Sequence, residues 1–276
     1  MKKKILIVGK NSFIGSSLYF FLRKKLEVKI CDYNTFKNFD YKTYKNFNLI
    51  INCASNSEYI KNKYNLKNDF DYQIANKIKK LDCKMILLSS RKVYQSQDNI
   101  KEFSKILPRD NYSKNKVITE KIISNLLGQK VLILRISNII GCNLNSLNKR
   151  KVHYTFMDYF LKCSKEGVFY KNQSIYKDFL PLNKFCEIVL KLINKKNIYG
   201  AFNISIGKRV YLKKLVEWLN FYNPNSIKYV NLPNNVNKDC FYLNNSKLLY
   251  NINVKLDIDD LKKYCKKLSK KIFLNK

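Results

Sequence analysis

The sequence predicts an α/β protein: a doubly wound parallel sheet with helices on both faces and a smaller C-terminal region. Short apolar runs alternate with helical patterns in the first half. The first of these runs ends in a glycine that opens a helical segment, and the second half of the chain is less regular. A length of 276 residues allows one large domain or two smaller ones that share a core.

Apolar runs in the first half suit buried parallel strands, which are apolar on both faces. The predicted strands are KILIVG (4–9), EVKICD (27–32), LIINCAS (49–55), MILLSS (85–90) and VLILRIS (131–137). The segments between them that have helical spacing are 12–26, 69–81 and 113–127. Sheets of this kind bind ligands outside the carboxyl ends of their strands, so we look for chemistry directly after each strand.

The second half contains further helical patterns and one predicted strand. The helical patterns cover 156–167, 182–196, 211–222 and 258–274, and the strand pattern covers 201–207. Residues 223–240 are rich in turn-forming residues and are predicted to be a loop.

The chain is strongly basic, with a formal net charge of +34 from 54 Lys and Arg against 20 Asp and Glu. Only six of these cations are Arg, and Lys, Asn, Ile, Phe and Tyr, which share AT-rich codons, are all abundant. A nucleic-acid reader favours Arg at base and phosphate forks, so codon bias explains the charge better than nucleic-acid binding does. The positive field still favours an anionic substrate.

Cysteine and histidine usage argues against a metal site and against histidine-dependent triads. The eight Cys include no C-x-x-C pair, and His153 is the single His, so zinc is not expected. The apolar run after the initial lysines stops at Gly9, which is too short for a signal peptide, and no stretch is long enough for a membrane span. We therefore expect a cytoplasmic protein with reduced thiols, no metal and no membrane insertion.

Two glycines follow the first predicted strand, at Gly9 and Gly15, with Ser12 between them. Gly9 permits a tight turn, Gly15 permits close packing of helix on sheet, and the helix N-terminus presents free N–H groups to a pyrophosphate. Asp32 ends the second strand 23 residues after Gly9, where a carboxylate accepts hydrogen bonds from a ribose. Such a carboxylate repels a 2′-phosphate, which favours NAD over NADP, although nearby Lys37 could tolerate that phosphate.

A catalytic pair is predicted at Tyr112 and Lys116, which lie four residues apart on one face of a helix. The ammonium group lowers the pKa of the phenol, which can then act as a general acid or base. The same spacing recurs elsewhere, for example at Tyr41 and Lys45, so position rather than spacing distinguishes Tyr112. Ser89 and Ser90 end the fourth strand, where a serine would lie over the same cleft and could hydrogen-bond a substrate oxygen.

Together these segments resemble the extended short-chain dehydrogenase/reductase family, in its nucleotide-sugar epimerase/dehydratase group. The segments that carry the resemblance are GKNSFIG, INCAS, SSRKVY, YSKNK, RISNIIG and YKDFLPLNKFCEIV. Three departures stand out. Ser12 replaces the middle glycine of the Gly-rich motif, Lys177 replaces the usual Arg, and Asn183-Lys184 replace an acidic pair.

The resemblance implies a Rossmann-type fold with residues 1–141 as the dinucleotide-binding domain. Residues 142–276 would be mainly the substrate-binding region, with 177–206 returning to the first domain. The implied catalytic residues are Ser90, Tyr112 and Lys116. The implied NAD(P) contacts are Gly9, Asn11, Ser12, Phe13, Ile14, Gly15, Asp32, Cys53, Ala54, Ser55, Tyr112 and Lys116. The implied substrate contacts are Ser90, Arg91, Asn138 and Lys177.

The function implied by the resemblance is hydride transfer on a nucleotide-activated sugar through a keto-sugar. Arg91-Lys92 stand where the family's dehydratases carry an Asp-Glu pair, which disfavours 4,6-dehydration and leaves an epimerase or a 4-keto-reductase. The resemblance further implies a homodimer and suggests a surface-polysaccharide pathway. A non-catalytic dinucleotide-binding regulator is the alternative from another class, and the Tyr112, Lys116 and Ser90 set argues against it.

Overall fold

The structure, a computed structural model, describes residues 3–141, 155–170, 174–225, 227–230 and 239–274. His153 and Cys142 lie outside these residues. The strands are β1 Lys4–Val8, β2 Glu27–Cys31, β3 Leu49–Asn52, β4 Lys84–Ser90, β5 Val131–Ile136, β6 Asn138–Ile140, β7 Val168–Tyr170, β8 Tyr176–Lys177, β9 Phe179–Pro181, β10 Gly200–Ile204, β11 Val210–Tyr211 and β12 Lys228–Val230.

Helices follow most of the strands. They are α1 Phe13–Leu22, α2 Tyr33–Lys37, α3 Tyr41–Lys45, α4 Ser57–Lys61, α5 Phe70–Ile78, α6 Asn111–Leu127, α7 Phe156–Glu166, α8 Leu182–Asn194, α9 Leu212–Leu219, α10 Ser246–Asn251 and α11 Ile258–Phe273. A 3₁₀ turn, Arg91–Val93, follows β4 directly. In the ranges given above, no helix has both the length and the apolar character that crossing a bilayer requires.

The main sheet is parallel throughout, in the order β2-β1-β3-β4-β5-β10. Because side chains alternate along a strand, each strand contributes to both faces of the sheet. Ile5 and Ile7 of β1 join a core that includes residues of α1 and α8, whereas Leu6 and Val8 join a second core that includes residues of α5 and α6. The predicted doubly wound α/β fold is therefore confirmed.

The sheet order reverses between β1 and β3, which places the ligand-binding crevice of such a sheet at the carboxyl ends of these strands. The pairs β6–β9 and β8–β11 lie outside the main sheet, and β10 joins β5 inside it. The predicted site residues follow these strands directly. They should therefore meet at the carboxyl ends of the sheet.

One predicted loop contains a strand. Lys228–Val230 forms β12, which pairs in parallel with β7, although residues 223–240 are expected to be a loop throughout. The hydrogen-bond partner lies some 60 residues earlier in the chain (Lys228 beside Val168), so no local signal announces this pairing. The domain boundaries at 141 and 142 remain a prediction.

Candidate active site

The turn after β1 is too tight for any residue but glycine at two positions. Gly9 has φ +124°, and its N–H donates to the Cys31 carbonyl at 2.8 Å, at the end of β2. A Cβ on Gly9 would lie 2.7 Å from the carbonyl carbon of Cys53, and a Cβ on Gly15 would lie 2.4 Å from the carbonyl oxygen of Gly9. Both glycines thus have the roles predicted for them, because the turn packs directly against the end of β3.

Helix α1 begins at this turn with Ser12 as its N-cap. The Ser12 hydroxyl accepts a hydrogen bond from the Gly15 N–H at 3.4 Å, so the residue that replaces a glycine caps the helix. Phe13 and Ile14 form the start of the helix, where the first amides have no partner within the helix itself. Exposed Asn11 precedes them. A tight glycine turn that leads into a helix N-terminus fits the pyrophosphate of a dinucleotide.

Asp32 lies directly after β2 and caps the short helix α2. Its Oδ1 accepts the Thr35 N–H at 2.8 Å, and this backbone hydrogen bond lowers the pKa of the carboxyl group of this partly exposed residue. The residue is therefore ionised at neutral pH beside the glycine turn, as ribose recognition would require. Capping α2 is a second role that the sequence spacing does not reveal.

The segment Cys53, Ala54 and Ser55 follows β3 on the other side of the turn. The Cys53 N–H donates to the Val8 carbonyl at 2.7 Å, and the Ala54 N–H donates to Asn52 Oδ1 at 3.0 Å. Burial raises the pKa of the Cys53 thiol well above its ordinary value, so this thiol is a packing group rather than a nucleophile. Ser55 is exposed.

An ion pair links the turn after Ser90 to the start of the helix that carries Tyr112. Asp110 is the N-cap of α6, and its carboxylate lies 3.1 Å from the Lys92 ammonium in the turn after β4. Lys92 Nζ also lies 5.9 Å from the centroid of the Tyr112 ring. The Ser90 hydroxyl accepts the Lys92 N–H at 3.2 Å, which leaves its own proton available for a substrate oxygen. The end of β4 and the first turn of α6 therefore form one unit.

The strand alternation selects Ser90 over its neighbour. Ser89 is buried and donates to the Glu120 carboxylate, which also binds Arg135 through two charged hydrogen-bond donors. Ser90, one residue further, points away from that network and is partly exposed. Only the second serine is thus placed to contact a substrate.

Lys116 is held by a carboxylate that sequence reasoning missed. Its ammonium lies 3.0 Å from Asp71 Oδ2 on α5, and the other oxygen of Asp71 accepts Asn52 Nδ2 at 2.7 Å. Burial by itself lowers the pKa of Lys116, but Asp71, Tyr59 and Tyr112 together outweigh this effect and hold the pKa well above its ordinary value. Lys116 is therefore a fixed cation one helical turn from Tyr112. Asp71 belongs to no spacing motif, and no sequence signal could have found it.

The predicted substrate residues lie on the C-terminal side of the cleft. Asn138 Nδ2 donates to the Asp178 carbonyl at 3.1 Å, which places Asn138 beside Lys177. Arg91 and Lys177 both bind the carboxylate of Asp239, at 2.7 Å and 2.6 Å. Asp239 is the second residue that the sequence did not indicate, because it is separated from Arg91 by 148 residues.

These features define a class: a dinucleotide-binding α/β protein with a Tyr–Lys pair beside a serine at the carboxyl ends of its strands. The model of the NAD dependent epimerase/dehydratase family matches residues 5–205, most of the chain. The protein therefore belongs to this family, as its sequence motifs indicate. The expectation of NAD, with NADP as the variant, is confirmed at the level of the family, which is NAD-dependent.

Solved structures of similar fold span the whole chain. UDP-N-acetylglucosamine 4-epimerase from Methanobrevibacter ruminantium M1, in complex with UDP-N-acetylmuramic acid, is 19% identical with a TM-score of 0.80, and 100% of each chain is covered. A dTDP-4-dehydrorhamnose reductase from Clostridium acetobutylicum is 17% identical with a TM-score of 0.74, over 96% of this chain and 98% of that one.

A third structure is TunA, an NAD-dependent NDP-hexosamine 5,6-dehydratase involved in tunicamycin biosynthesis, which is 16% identical with a TM-score of 0.77 over 100% of this chain and 99% of that one. At these identities the similarity establishes the fold. A search of curated proteins finds no significant match.

Proposed function

We propose that the protein is an NAD(P)-dependent epimerase that acts on a nucleotide-activated sugar, with Tyr112, Lys116 and Ser90 as its catalytic residues. The observation that carries this proposal is the Lys92–Asp110 ion pair of 3.1 Å, which joins the turn after Ser90 to the helix start that bears Tyr112. A regulator that only binds a dinucleotide needs the glycine turn but has no use for this second half of the site.

Each catalytic residue has a defined task at a sugar carbon that bears a hydroxyl group. Tyr112 exchanges a proton with the hydroxyl oxygen, and Ser90 donates a hydrogen bond to the same oxygen. Lys116, paired with Asp71, places a positive charge one helical turn from Tyr112. When bound, NAD(P) would supply the hydride acceptor and donor for that carbon. In an epimerase the keto-sugar would present its other face before it is reduced, and Tyr112 would return the proton to its oxygen.

The residues proposed to hold the dinucleotide surround the turn after β1. Gly9 and Gly15 allow the close approach of the pyrophosphate, and Asp32 accepts hydrogen bonds from the adenosine ribose. Cys53, Ala54 and Ser55 line the opposite side, after β3. Because an ionised Asp32 would repel a 2′-phosphate, NAD is favoured over NADP.

The deciding test is Tyr112→Phe, assayed over a panel of nucleotide sugars with product formation followed by NMR. We expect turnover to fall about 100-fold or more, because the phenol is the proton acceptor. NADH affinity, measured by fluorescence titration, should change about twofold at most. Tyr41→Phe is the matched control, since Tyr41 and Lys45 have the same four-residue spacing on the exposed face of α3. Unchanged turnover in Tyr112→Phe would falsify the role.

A nucleotide-sugar 4-keto-reductase is the second candidate, supported by the dTDP-4-dehydrorhamnose reductase of similar fold, which covers nearly all of both chains. The two candidates differ in whether the reaction consumes reduced cofactor. An epimerase interconverts two sugars with no net change in absorbance at about 340 nm, whereas a reductase consumes one NAD(P)H for each keto-sugar reduced. Stoichiometric oxidation of added NADPH would replace the first candidate by the second.

A further inference from the structure

The solvent side of helix α11 carries a row of lysines. Residues three or four apart are neighbours on a helix surface, and four lysines of α11 have this spacing. We call this row the α11 lysine face, which consists of Lys263, Lys266, Lys267 and Lys270. Leu261, Cys265 and Leu268, on the other side of the helix, are buried in the core. The lysines therefore point away from the core.

The charge of this face is not compensated by nearby carboxylates. In the part of the chain that the structure describes, Asp260 forms an ion pair with Lys184 at 3.2 Å, and Asp257 forms one with Lys255 at 3.4 Å. Asp259 lies in the first turn of α11, and the rest of the helix contains no acidic residue. Two further exposed lysines, Lys262 and Lys271, flank the face. The helix thus ends as a strongly positive surface.

Exposed apolar side chains border the face. The Tyr222 N–H donates to Ser269 Oγ at 3.0 Å, which places the segment after α9 beside α11. Phe221 is 54% exposed, and its ring centroid lies 3.7 Å from Lys266 Nζ and 4.9 Å from the centroid of the Tyr222 ring. Leu274, also 54% exposed, follows the last turn of α11. Exposed apolar groups rimmed by charged ones are typical of an interaction surface.

A cavity of about 220 Å³ lies at one edge of the face, between the starts of α8 and α11. Its volume is several times that of a water molecule, so it has room for a phosphate group. Lys263 and Lys267 line the cavity together with Lys184 and Asp260. Because Lys184 and Asp260 form an ion pair with each other, Lys263 and Lys267 are the cations that a phosphate group would meet there.

We propose that the α11 lysine face docks the protein on the surface of an anionic phospholipid bilayer. The lysines would contact the headgroup phosphates, and Phe221 and Leu274 would enter the interfacial layer, as in surface-bound amphipathic helices. A nucleic-acid partner is less suited to this surface, since α9 and α11 contain no Arg and phosphate contacts leave the apolar groups exposed. The inference is independent of the proposed function, because these residues do not belong to the proposed site.

The test is co-sedimentation of the full chain with lipid vesicles. One set of vesicles is phosphatidylcholine alone, and the other is phosphatidylcholine mixed with phosphatidylglycerol. We expect binding to the anionic vesicles to be at least about tenfold stronger, because each lysine near an anionic surface strengthens binding about fivefold. Raising the salt concentration to about 1 M, where the screening length is about 3 Å, should remove most of that preference.

Charge variants locate the binding surface. The quadruple variant Lys263→Gln/Lys266→Gln/Lys267→Gln/Lys270→Gln should weaken binding to anionic vesicles by about 100-fold or more. The matched control removes the same charge from α3 and the end of α5, which pack on the other face of the sheet. It is the variant Lys42→Gln/Lys45→Gln/Lys79→Gln/Lys80→Gln, whose four lysines are all exposed, and it should change binding about twofold at most.

A second pair of variants tests the apolar part of the surface. Phe221→Ser should weaken binding to anionic vesicles several-fold, because the ring no longer enters the interfacial layer. Phe103→Ser is the matched control, since Phe103 is also exposed and also lies beside a lysine, with Lys101 Nζ 5.6 Å from its ring centroid. It should leave vesicle binding unchanged.

Three outcomes would overturn the inference. The first is no binding of the wild-type protein to anionic vesicles at low salt. The second is an equal loss in the two quadruple variants, which would assign the binding to the net charge of the whole chain. The third is a loss of affinity for a DNA duplex in the α11 variant with vesicle binding unchanged, which would make the face a nucleic-acid site. NADH affinity should stay constant in all variants, so each of these outcomes leaves the proposed function intact.

Discussion

Two ion pairs flank the cleft, and they are built differently. Lys116 and Asp71, on the cofactor side, have side chains only 8% and 7% exposed and share a third partner in Asn52. Arg91, Lys177 and Asp239, on the opposite side, form a cluster whose carboxylate is 36% exposed. A buried pair fixes a charge in one place, whereas solvent screens a partly exposed cluster. The two should therefore contribute differently to stability.

The comparison predicts unequal costs when each carboxylate is neutralised. Asp71→Asn should destabilise the protein by about 3–5 kcal/mol, because it leaves the buried Lys116 ammonium without a counter-charge. Asp239→Asn should cost less, about 1–3 kcal/mol, because Asp239 and Lys177 are partly exposed although Arg91 is buried. Urea unfolding followed by circular dichroism measures both values.

The double variant Asp71→Asn/Lys116→Met is the control for this difference. It removes both buried charges, so it should recover most of the stability lost in Asp71→Asn. Equal costs for Asp71→Asn and Asp239→Asn would contradict the distinction between a buried pair and a partly exposed cluster.

Asp178, next to Lys177 in the chain, is a fully buried carboxyl group whose pKa burial raises from 3.8 to about 7. The folded protein therefore retains a proton that the unfolded chain releases near pH 4, and stability falls as pH rises from about 4 to 7. One pKa unit is worth about 1.4 kcal/mol, so the decline should be about 2–4 kcal/mol.

The free energy of unfolding, measured from pH 4 to 8, should depend less steeply on pH in Asp178→Asn than in the wild type. An unchanged slope would assign the decline to other groups.

A substitution in the turn after β1 tests how tightly the residues proposed to hold the cofactor are packed. Gly15→Ala should weaken NADH binding about tenfold or more and cost about 1–3 kcal/mol, because its Cβ would meet the Gly9 carbonyl at 2.4 Å. Gly128→Ala is a control with no atom within 4 Å of the added Cβ, although its φ of +55° strains any side chain. It should lower stability without changing NADH affinity, measured by fluorescence titration. Normal binding by Gly15→Ala would mean that the turn is looser than its geometry indicates.

The smallest expected effect distinguishes the role of Asp32 as a helix cap from its proposed contact with the ribose. Asp32 and Asp40 each cap a five-residue helix through a backbone hydrogen bond of 2.8 Å, to Thr35 and Thr43. Asp32→Ala and Asp40→Ala should therefore cost the same stability, about 1 kcal/mol in thermal unfolding. Only Asp32→Ala should shift the ratio of NADH to NADPH affinity toward NADPH. A shift in both variants, or in neither, would remove Asp32 from the ribose site.

Much of the cofactor side could be predicted from sequence because its signals are local. The apolar run that ends at Gly9, the helix that begins at Phe13 with Gly15 in its first turn, and the acid after β2 all lie within a few dozen residues. The distinction between Ser89 and Ser90 follows from the two-residue period of a strand. The role of Ser12 as an N-cap is also local, since serine is a preferred residue at that position.

The substrate side could be predicted only in part. Arg91 and Lys177 were identified through motif positions, but their shared partner, Asp239, lies far along the chain. The parallel pair β7–β12 was missed for the same reason. Pairings of this kind arise from loop closure over many residues and leave no periodic pattern in the chain.

What the sequence by itself determined is the parallel sheet, the glycine turn and the Tyr112–Lys116 spacing, because each depends on the local geometry of a strand, a turn or a helix. Only the tertiary structure decided which charges neutralise one another. Asp71 reaches Lys116 across 45 residues, and Asp239 reaches Arg91 across 148. The physical reason is that the energy of an ion pair depends on the distance between the two charges in space and not on their separation along the chain.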